Sequence, residues 1–350
     1  MLTDSETVRG EILNFSKLVQ MFSAPFFNGI VRLDEPMANH TTMRVGGTAP
    51  VFLEPTDEDS LIFAIKVCIE YGVKFFIIGG GSNIVMADNI SFAIISTKQF
   101  KKVACSKTPG KVKGLYALAN KHIEESNMLG FNNERYLNCD AGATWTTVCS
   151  VCTKNRLEGF EQFSGLPGTI GGATYINATC FGLSTCDNLC SVRYFDLKDM
   201  KVKTYKKDDR DWSYKVSPFQ TTEKIILTVE FKVKENPDLQ IPEMNTKYHE
   251  FVKKRALMKH FEAPSAGSVF RNIPEQDIIA GKVIDECGLK GTRIGGAKVA
   301  DFHGNFIINE DHATAADIRN LVKLVQNKVK AEKGVDLKCE IIFVPENVDI

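Results

Sequence analysis

The stretch Ser164-Gly165-Leu166-Pro167-Gly168-Thr169-Ile170-Gly171-Gly172-Ala173-Thr174-Tyr175-Ile176-Asn177-Ala178-Thr179-Cys180-Phe181-Gly182 decides how the rest of the chain is read. Glycine accepts positive φ and lets the backbone come close to a ligand. Pro167 stiffens the entry, and successive peptide N–H groups in such a turn form a concave anion site. A second stretch, Ile77-Ile78-Gly79-Gly80-Gly81-Ser82-Asn83, repeats the theme: an apolar β-like run ends in glycines and continues into small polar residues. Two such loops suit the two ends of a pyrophosphate. Two ordinary glycine-rich turns are the other reading, because short glycine motifs recur by chance. The dinucleotide fingerprint itself is not met. Gly79-x-Gly81 lacks its third glycine, since Ile84 stands there, and the loop follows the second strand of its unit. A nicotinamide-type Rossmann fold is therefore disfavoured.

The chain has 350 residues, enough for two or three domains with cores of their own. Lys plus Arg (43) equals Asp plus Glu (43), so no basic excess points to nucleic acid and no polybasic tract to a membrane surface. Met1–Glu6 is acidic and does not read as a signal peptide. Apolar runs such as Phe75–Ile78 are far too short to span a bilayer. The ten cysteines then read as reduced thiols of a cytoplasmic protein, several of them in cores. Cys149-x-x-Cys152 and Cys186-x-x-x-Cys190 also admit a zinc-site reading, but Cys149 and Cys152 fall one helical turn apart, as core residues do.

Taken in order, residues 1–30 carry a helical stripe of Val8, Ile12, Phe15, Val19 and Phe22, an N-terminal extension. Asn39-His40-Thr41-Thr42-Met43-Arg44-Val45-Gly46-Gly47 is the first dense motif. Val51–Glu54 reads as a strand. Thr56-Asp57 caps a helix to about Tyr71 with Leu61, Ile62, Ile65, Cys68 and Ile69 inward, closed by Gly72. Lys74–Ile78 and Phe92–Ser96 complete a β-α-β unit. Residues 106–135 are weakly patterned and read as a hairpin or surface excursion. Tyr136–Ala141 is a strand and Ala143–Asn155 a helix leading into the long glycine stretch. Cys190–Leu197, Val202–Tyr205 and Lys224–Val233 form one antiparallel system. Pro237 and Pro242 mark a linker. Helices are expected from Met244 to about Lys259, over Ala280–Cys287 with Gly288 ending it, and from about Ala315 to Lys333 under a Thr314 cap. The inner face of the last helix is Ile318, Leu321, Val322, Val325 and Val329. Phe306–Asn309 and Leu337–Val344 read as strands.

Three residues invite chemistry. Ser268 follows Gly267 in a loop expected to lead into a strand, with no Gly-x-Ser-x-Gly elbow around it. A serine relays a proton if a charged group polarises it; a loop serine satisfying backbone groups is the plainer reading. Glu340 interrupts an apolar strand, facing either outward or into a site. Lys215, in Ser213-Tyr214-Lys215-Val216-Ser217, reads by itself as a solvated lysine. The six histidines show no metal-ligand spacing.

Together the motifs resemble the UDP-N-acetylenolpyruvoylglucosamine reductase family from about Leu33 to Val344. The resemblance is carried by His40-Thr41-Thr42 with Gly46-Gly47, Gly79–Asn83, Ser164–Gly172, Asn177 with Phe181-Gly182, and Tyr214-Lys215 with Ser217. Pro264–Ser268 with Asn272, Gly281–Ile284 with Gly288–Gly291, Ala313-Thr314 with Asp317, and Glu340 continue it in the family's order. The resemblance implies an α+β protein. A two-part FAD-binding region of the vanillyl-alcohol oxidase (PCMH) type over 31–235 precedes a smaller α+β substrate domain over 236–350. It implies FAD held without a covalent bond, NADPH as co-substrate and a UDP-sugar as substrate, in a monomer that binds no nucleic acid and does not insert into a membrane. NADPH reduces the flavin, and flavin hydride then goes to C3 of the enolpyruvyl group while C2 is protonated. The implied cofactor residues are Thr42, Arg44, Gly79, Gly80, Gly81, Ser82, Asn83, Gly165, Pro167, Gly168, Thr169, Gly171 and Gly172. Phe181, Tyr214, Asn272 and Lys259 are the implied substrate residues. Ser268 matches the family's proton donor, Glu340 its glutamate and Lys215 its cation, with no metal.

Three positions depart from the family pattern. Lys215 stands for an arginine, keeping charge but losing the planar fork. Phe181 stands for a tyrosine. Ile342 stands for an arginine two residues after the glutamate. The segment between Lys215 and Ser268 is too short for a tyrosine-bearing lid, as in one branch of the family. Two other readings remain open at this point: a different non-covalent FAD oxidoreductase of the same superfamily, and a catalytically silent flavin-binding relative.

Overall fold

The computed structural model describes residues 15, 17–22, 25–109 and 133–346. Packing divides the chain into two compact units, Met1–Gln99 with Arg255–Ile350, and Phe100–Lys254. This division differs from the contiguous one at 30/31 and 235/236, because the C-terminal segment packs with the N-terminal one.

In the first unit, residues 17–21 are helical, with Leu18 and the following Phe22 buried; Val8 and Ile12 lie outside the described residues. Strand β1 (Gly29–Pro36) starts inside the stretch read as a helical extension and pairs antiparallel with β2 (Thr48–Pro55). It was illegible because it lies at the sheet edge, with Ile30 and Leu33 exposed rather than alternating inward. Asp57 caps α1 (Glu58–Glu70), its Oδ1 accepting from Ser60 N at 2.8 Å. Gly72 follows at φ 65°. The buried stripe is Leu61, Ala64, Ile65, Val67 and Cys68. Ile69, expected inward, is exposed: at 100° per residue the stripe is centred toward Ala64 and leaves Ile69 at its margin. Strand β3 (Phe75–Ile78) leads into the triple-glycine loop, and β4 (Ile84–Met86) leaves it. Strand β5 (Ala93–Ser96) lies between β2 and β3, parallel to both.

The second unit is built on a sheet whose strands are β6 (Val103–Ser106), β7 (Glu134–Asp140), β8 (Leu157–Glu158), β11 (Leu189–Asp196), β12 (Lys201–Lys206) and β13 (Lys224–Glu235). Its order is β12-β11-β13-β7-β6, with β8 beside β13. β6 and β7 pair antiparallel, so the 106–135 excursion leaves and rejoins one sheet edge; residues 110–132 of it lie outside the described residues. Helix α2 (Trp145–Lys154), capped by Thr144, stacks Trp145 on Phe163 at 4.0 Å, with Phe160 and Phe231 completing the cluster. Cys149 and Cys152 are buried on this helix, and burial pushes the Cys152 thiol well up from its usual range. Among the described residues no group of His, Cys, Asp and Glu is arranged to hold a metal ion. The glycine stretch runs into α3 (Ile170–Tyr175) and a short hairpin, β9 (Thr179–Cys180) and β10 (Leu183–Ser184). Helix α4 (Ile241–Leu257) begins three residues before Met244, with Pro242 in its first turn, where a missing N–H is tolerated.

The chain then re-enters the first unit with β14 (Ser265–Ser268), α5 (Ala280–Glu286), β15 (Arg293–Ile294), β16 (Ala297–Val299), β17 (Phe306–Asn309), α6 (Ala315–Lys333) and β18 (Ile342–Val344). Thr314 and Asp317 form a capping box, Gly334 ends α6 at φ 68°, and all five expected inner residues are buried. Only the end of the expected Leu337–Val344 strand is regular. Before it, Cys339 bridges singly to Phe270. β18 pairs with β4, and Met43, Val45 and Val85 share one core with Val269, Phe270, Ile284, Leu321 and Phe343. This shared core explains why the ends of the chain form one unit. No helix among the described residues is long and apolar enough to cross a membrane.

Candidate functional site

The expected site residues fall into two groups, one in each unit. In the first unit the 41–44 segment, the triple-glycine loop, β14 and Glu340 come together. Thr42 N donates to Gly81 O at 3.1 Å and its hydroxyl to Ser265 O at 2.7 Å, so it ties the loop to β14. Gly81 has φ 66°, and a Cβ there would fall on the His40 carbonyl oxygen. No larger residue fits without moving the His40–Thr42 backbone. Arg44, exposed at φ 53°, has its carbonyl held by Asn309 Nδ2 at 3.2 Å.

Ser268 is the last residue of β14, not a loop residue ahead of a strand. Ser265 opposes Ile308 and Ser268 opposes Phe306, so β14 carries one residue more than β17 over this span. Gly267, at φ 75°, takes up the irregularity. Such bulges re-aim a side chain and recur beside active sites. Beyond it, Asn305 clamps Phe270 from both sides: Phe270 N donates to its Oδ1 and its Nδ2 donates to Phe270 O, both at 2.8 Å. Sequence reading missed Asn305, since a buried amide leaves no periodic signal. Glu340 is half-buried, and its N donates to Val269 O at 2.7 Å, which sets it beside the Ser268 segment. Asn83 Nδ2 donates to Glu340 O at 3.0 Å. Asn272 is exposed and its Oδ1 accepts from Ala280 N at 3.1 Å, supplying the first turn of α5 with a cap. Lys259 lies just past α4, exposed, with Nζ 3.2 Å from Glu262 Oε1 and 6.0 Å from the Phe302 ring centre.

In the second unit the long glycine loop and the Lys215 turn form the other group. Gly165 and Gly168 take φ 73° and 110°, which larger residues rarely adopt. Gly171 serves packing: its N donates to Ala141 O at 2.8 Å, and a Cβ would lie 2.8 Å from Ala141 Cβ. Gly172 N donates to the Thr169 hydroxyl. The N–H groups of Gly171 and Gly172 are thus committed inside the fold. Lys215 is buried, 8% exposed, which corrects the solvated reading. It sits at φ 59° in a tight turn closed by Val216 N to Ser213 O at 3.0 Å, with Nζ 5.9 Å from the Tyr214 ring centre. Asn177 Nδ2 donates to Ser213 O at 2.8 Å and Ser217 Oγ to Tyr175 O at 2.7 Å, pinning that turn to the end of α3. Phe181, at φ 49°, is partly exposed against Phe251. Asn177, Phe181 and Lys215 all hold left-handed backbone, each costing on the order of 1–3 kcal/mol; such strain clusters at functional sites.

Both loops carry glycine backbone at positive φ, which larger residues rarely adopt. Residues 49–204 match the model of an FAD binding domain, and residues 259–344 match that of the UDP-N-acetylenolpyruvoylglucosamine reductase C-terminal domain. The chain is 34% identical over 311 residues to UDP-N-acetylenolpyruvoylglucosamine reductase of Borreliella burgdorferi, covering 88% of this chain and 92% of that protein. The reductase of Treponema denticola is 34% identical over 336 residues, 92% of this chain and 96% of the relative. The solved structure of UDP-N-acetylenolpyruvylglucosamine reductase from Thermus caldophilus superposes with a TM-score of 0.67 at 26% identity, covering 91% of this chain and all of that one. With an FAD-binding part, the reductase-specific C-terminal part and end-to-end likeness to these enzymes, the chain belongs to the UDP-N-acetylenolpyruvoylglucosamine reductase family.

Proposed function

We propose that this chain is an FAD-dependent oxidoreductase. It uses NADPH to reduce the enolpyruvyl group of UDP-N-acetylglucosamine enolpyruvate to UDP-N-acetylmuramate, for peptidoglycan precursor synthesis. The observation that carries this reading is the joining of Ser268 and Glu340 through Val269, next to a loop whose Gly81 admits no side chain. Thr42, Arg44, Gly79–Asn83 and the Gly165–Thr169 turn would hold FAD, which when bound supplies the hydride for the enolpyruvyl carbon; Gly171 and Gly172, expected in the same set, are used in packing and capping instead.

The residues of the chain do the rest. Hydride addition at C3 builds negative charge at C2 and the carboxylate, which needs a proton donor and a stabilising charge. Ser268 protonates C2. Glu340 acts as the acid beside the substrate carboxylate. Lys215 contributes a fixed positive charge, and its burial favours that role over a solvated one. Phe181, Tyr214, Asn272 and Lys259 grip the sugar nucleotide. We take 31–235 as the FAD-binding domain and 236–350 as the substrate-binding domain in this functional sense. The enzyme is a cytoplasmic monomer in this reading; the ten cysteines are all free, which suits a reducing compartment. Sedimentation of the purified protein checks the monomer. Anaerobic titration with NADPH and then with the enolpyruvyl nucleotide tests the activity: bleaching followed by return of the flavin absorbance is expected, and bleaching without return contradicts it.

A further inference from the structure

Asn83 belongs by sequence to the cofactor loop, yet the structure ties it to the glutamate. Its side-chain Nδ2 donates to Glu340 O at 3.0 Å, and its own carbonyl accepts from Ile342 N at 2.9 Å. One residue thus grips the backbone on both sides of Ile341. The grip is continued by the parallel pairing of β4 and β18, which starts at Ile84 opposite Ile342. From the other side, Glu340 N is held by Val269 O at 2.7 Å. The Glu340 peptides are fixed between the Ser268 segment and the triple-glycine loop. The loop cannot shift freely, because Gly81 is packed against the His40 carbonyl and its own carbonyl accepts from Thr42 N.

The geometry points to Asn83 as a positioning residue for Glu340: it sets the carboxyl side chain of Glu340 relative to Ser268 and links that setting to the cofactor loop. The inference rests on the proposed reductase reading. A residue that only binds cofactor has no reason to donate its side-chain amide to the peptide of the glutamate. A residue that only builds the fold has no reason to affect one half-reaction more than the other.

The test is a double-mutant cycle of Asn83→Ala and Glu340→Gln, measured on FAD-loaded protein as separate half-reactions, with FAD affinity and melting temperature read alongside. The expected result for Asn83→Ala is roughly 10-fold slower flavin reoxidation by the enolpyruvyl nucleotide, less than the loss of about 10²-fold or more from removing a general acid outright, since Glu340 itself remains. Reduction of the FAD-loaded fraction by NADPH slows less than reoxidation does, and the pH profile of reoxidation shifts. In the Glu340→Gln background the Asn83 change should add little, because both act at one point. Independent, multiplying effects, or equal slowing of both half-reactions, overturn the inference, as does loss of FAD with reoxidation of the remaining loaded fraction unchanged. Asn83→Asp keeps the shape and puts a carboxylate oxygen against Glu340 O, and so must reproduce the selective slowing. If Asn83→Ala does not fold, Asn83→Asp carries the cycle alone. Native protein that never reoxidises with the nucleotide overturns the reductase reading instead, which keeps the two failures distinct.

Discussion

The two glycine loops look alike in sequence and are used differently. In the triple-glycine loop the last glycine is a matter of space and of conformation at once: Gly81 has φ 66° and its missing side chain is filled by the His40 carbonyl. In the longer loop the two demands are separated. Gly165 and Gly168 carry positive φ, while Gly171 carries the close approach, to Ala141, with its N–H committed to that contact. A run of glycines is therefore not one signal. Each glycine answers to backbone conformation, to a neighbour or to a ligand, and only the structure tells which. The neighbours differ as well. The first loop is joined through Asn83 to Glu340, whereas the second leads through α3 to the turn that carries Lys215.

These differences make the comparison breakable. The largest effect is expected from Gly81→Val, which combines a backbone clash with an unfavourable φ. Destabilisation above about 4 kcal/mol, with loss of FAD, should appear in a denaturant melt and in the flavin spectrum. A yellow, native-like variant would show that the loop does not need its glycine. Ser268→Ala comes next. It should slow reoxidation by substrate about 10²-fold or more and leave reduction by NADPH nearly intact, as stopped-flow traces of each half would show. Lys215→Met removes the buried charge at similar length. The loss should be one to two decades in the same half-reaction, from a charged hydrogen bond contributing roughly 1.5–3 kcal/mol. Lys215→Arg should be tolerated. Native turnover with an unaffected Met form would leave the cation role unsupported. The smallest effect belongs to Gly171→Ala, whose added methyl crowds Ala141: a loss of about 1–3 kcal/mol in stability, with FAD still bound once folded. Loss of FAD without loss of stability would mean that Gly171 faces the ligand after all.

Much of this was legible from residues alone where one rule acted locally. Asp57 and Thr314 as caps, Gly72 and Gly288 as helix ends, and the inner face of α6 were read correctly because each depends on a few adjacent residues. The misses share a cause. Edge strand β1 and the shortening of the last strand depend on partners distant in sequence. The site was legible as motifs, not as geometry. Ser268 could be named, but not the bulge at Gly267 that presents it. Lys215 could be named, but not the turn around it, which Asn177 and Tyr175 at the end of α3 hold through Ser213 and Ser217. Gly267 is a signal for that bulge, since a glycine within a strand pattern suggests one. Asn305 left none.

The central claim is that the two groups of residues serve one flavin-mediated reduction of an enolpyruvyl nucleotide. The most direct measurement is a sequential anaerobic experiment on the native protein: NADPH is added until the flavin is bleached, excess is removed, and UDP-N-acetylglucosamine enolpyruvate is mixed in a stopped-flow cell. The account predicts that the oxidised flavin absorbance returns in step with formation of UDP-N-acetylmuramate. Reduced flavin that persists in the presence of the nucleotide, and returns only on admitting oxygen, would contradict it.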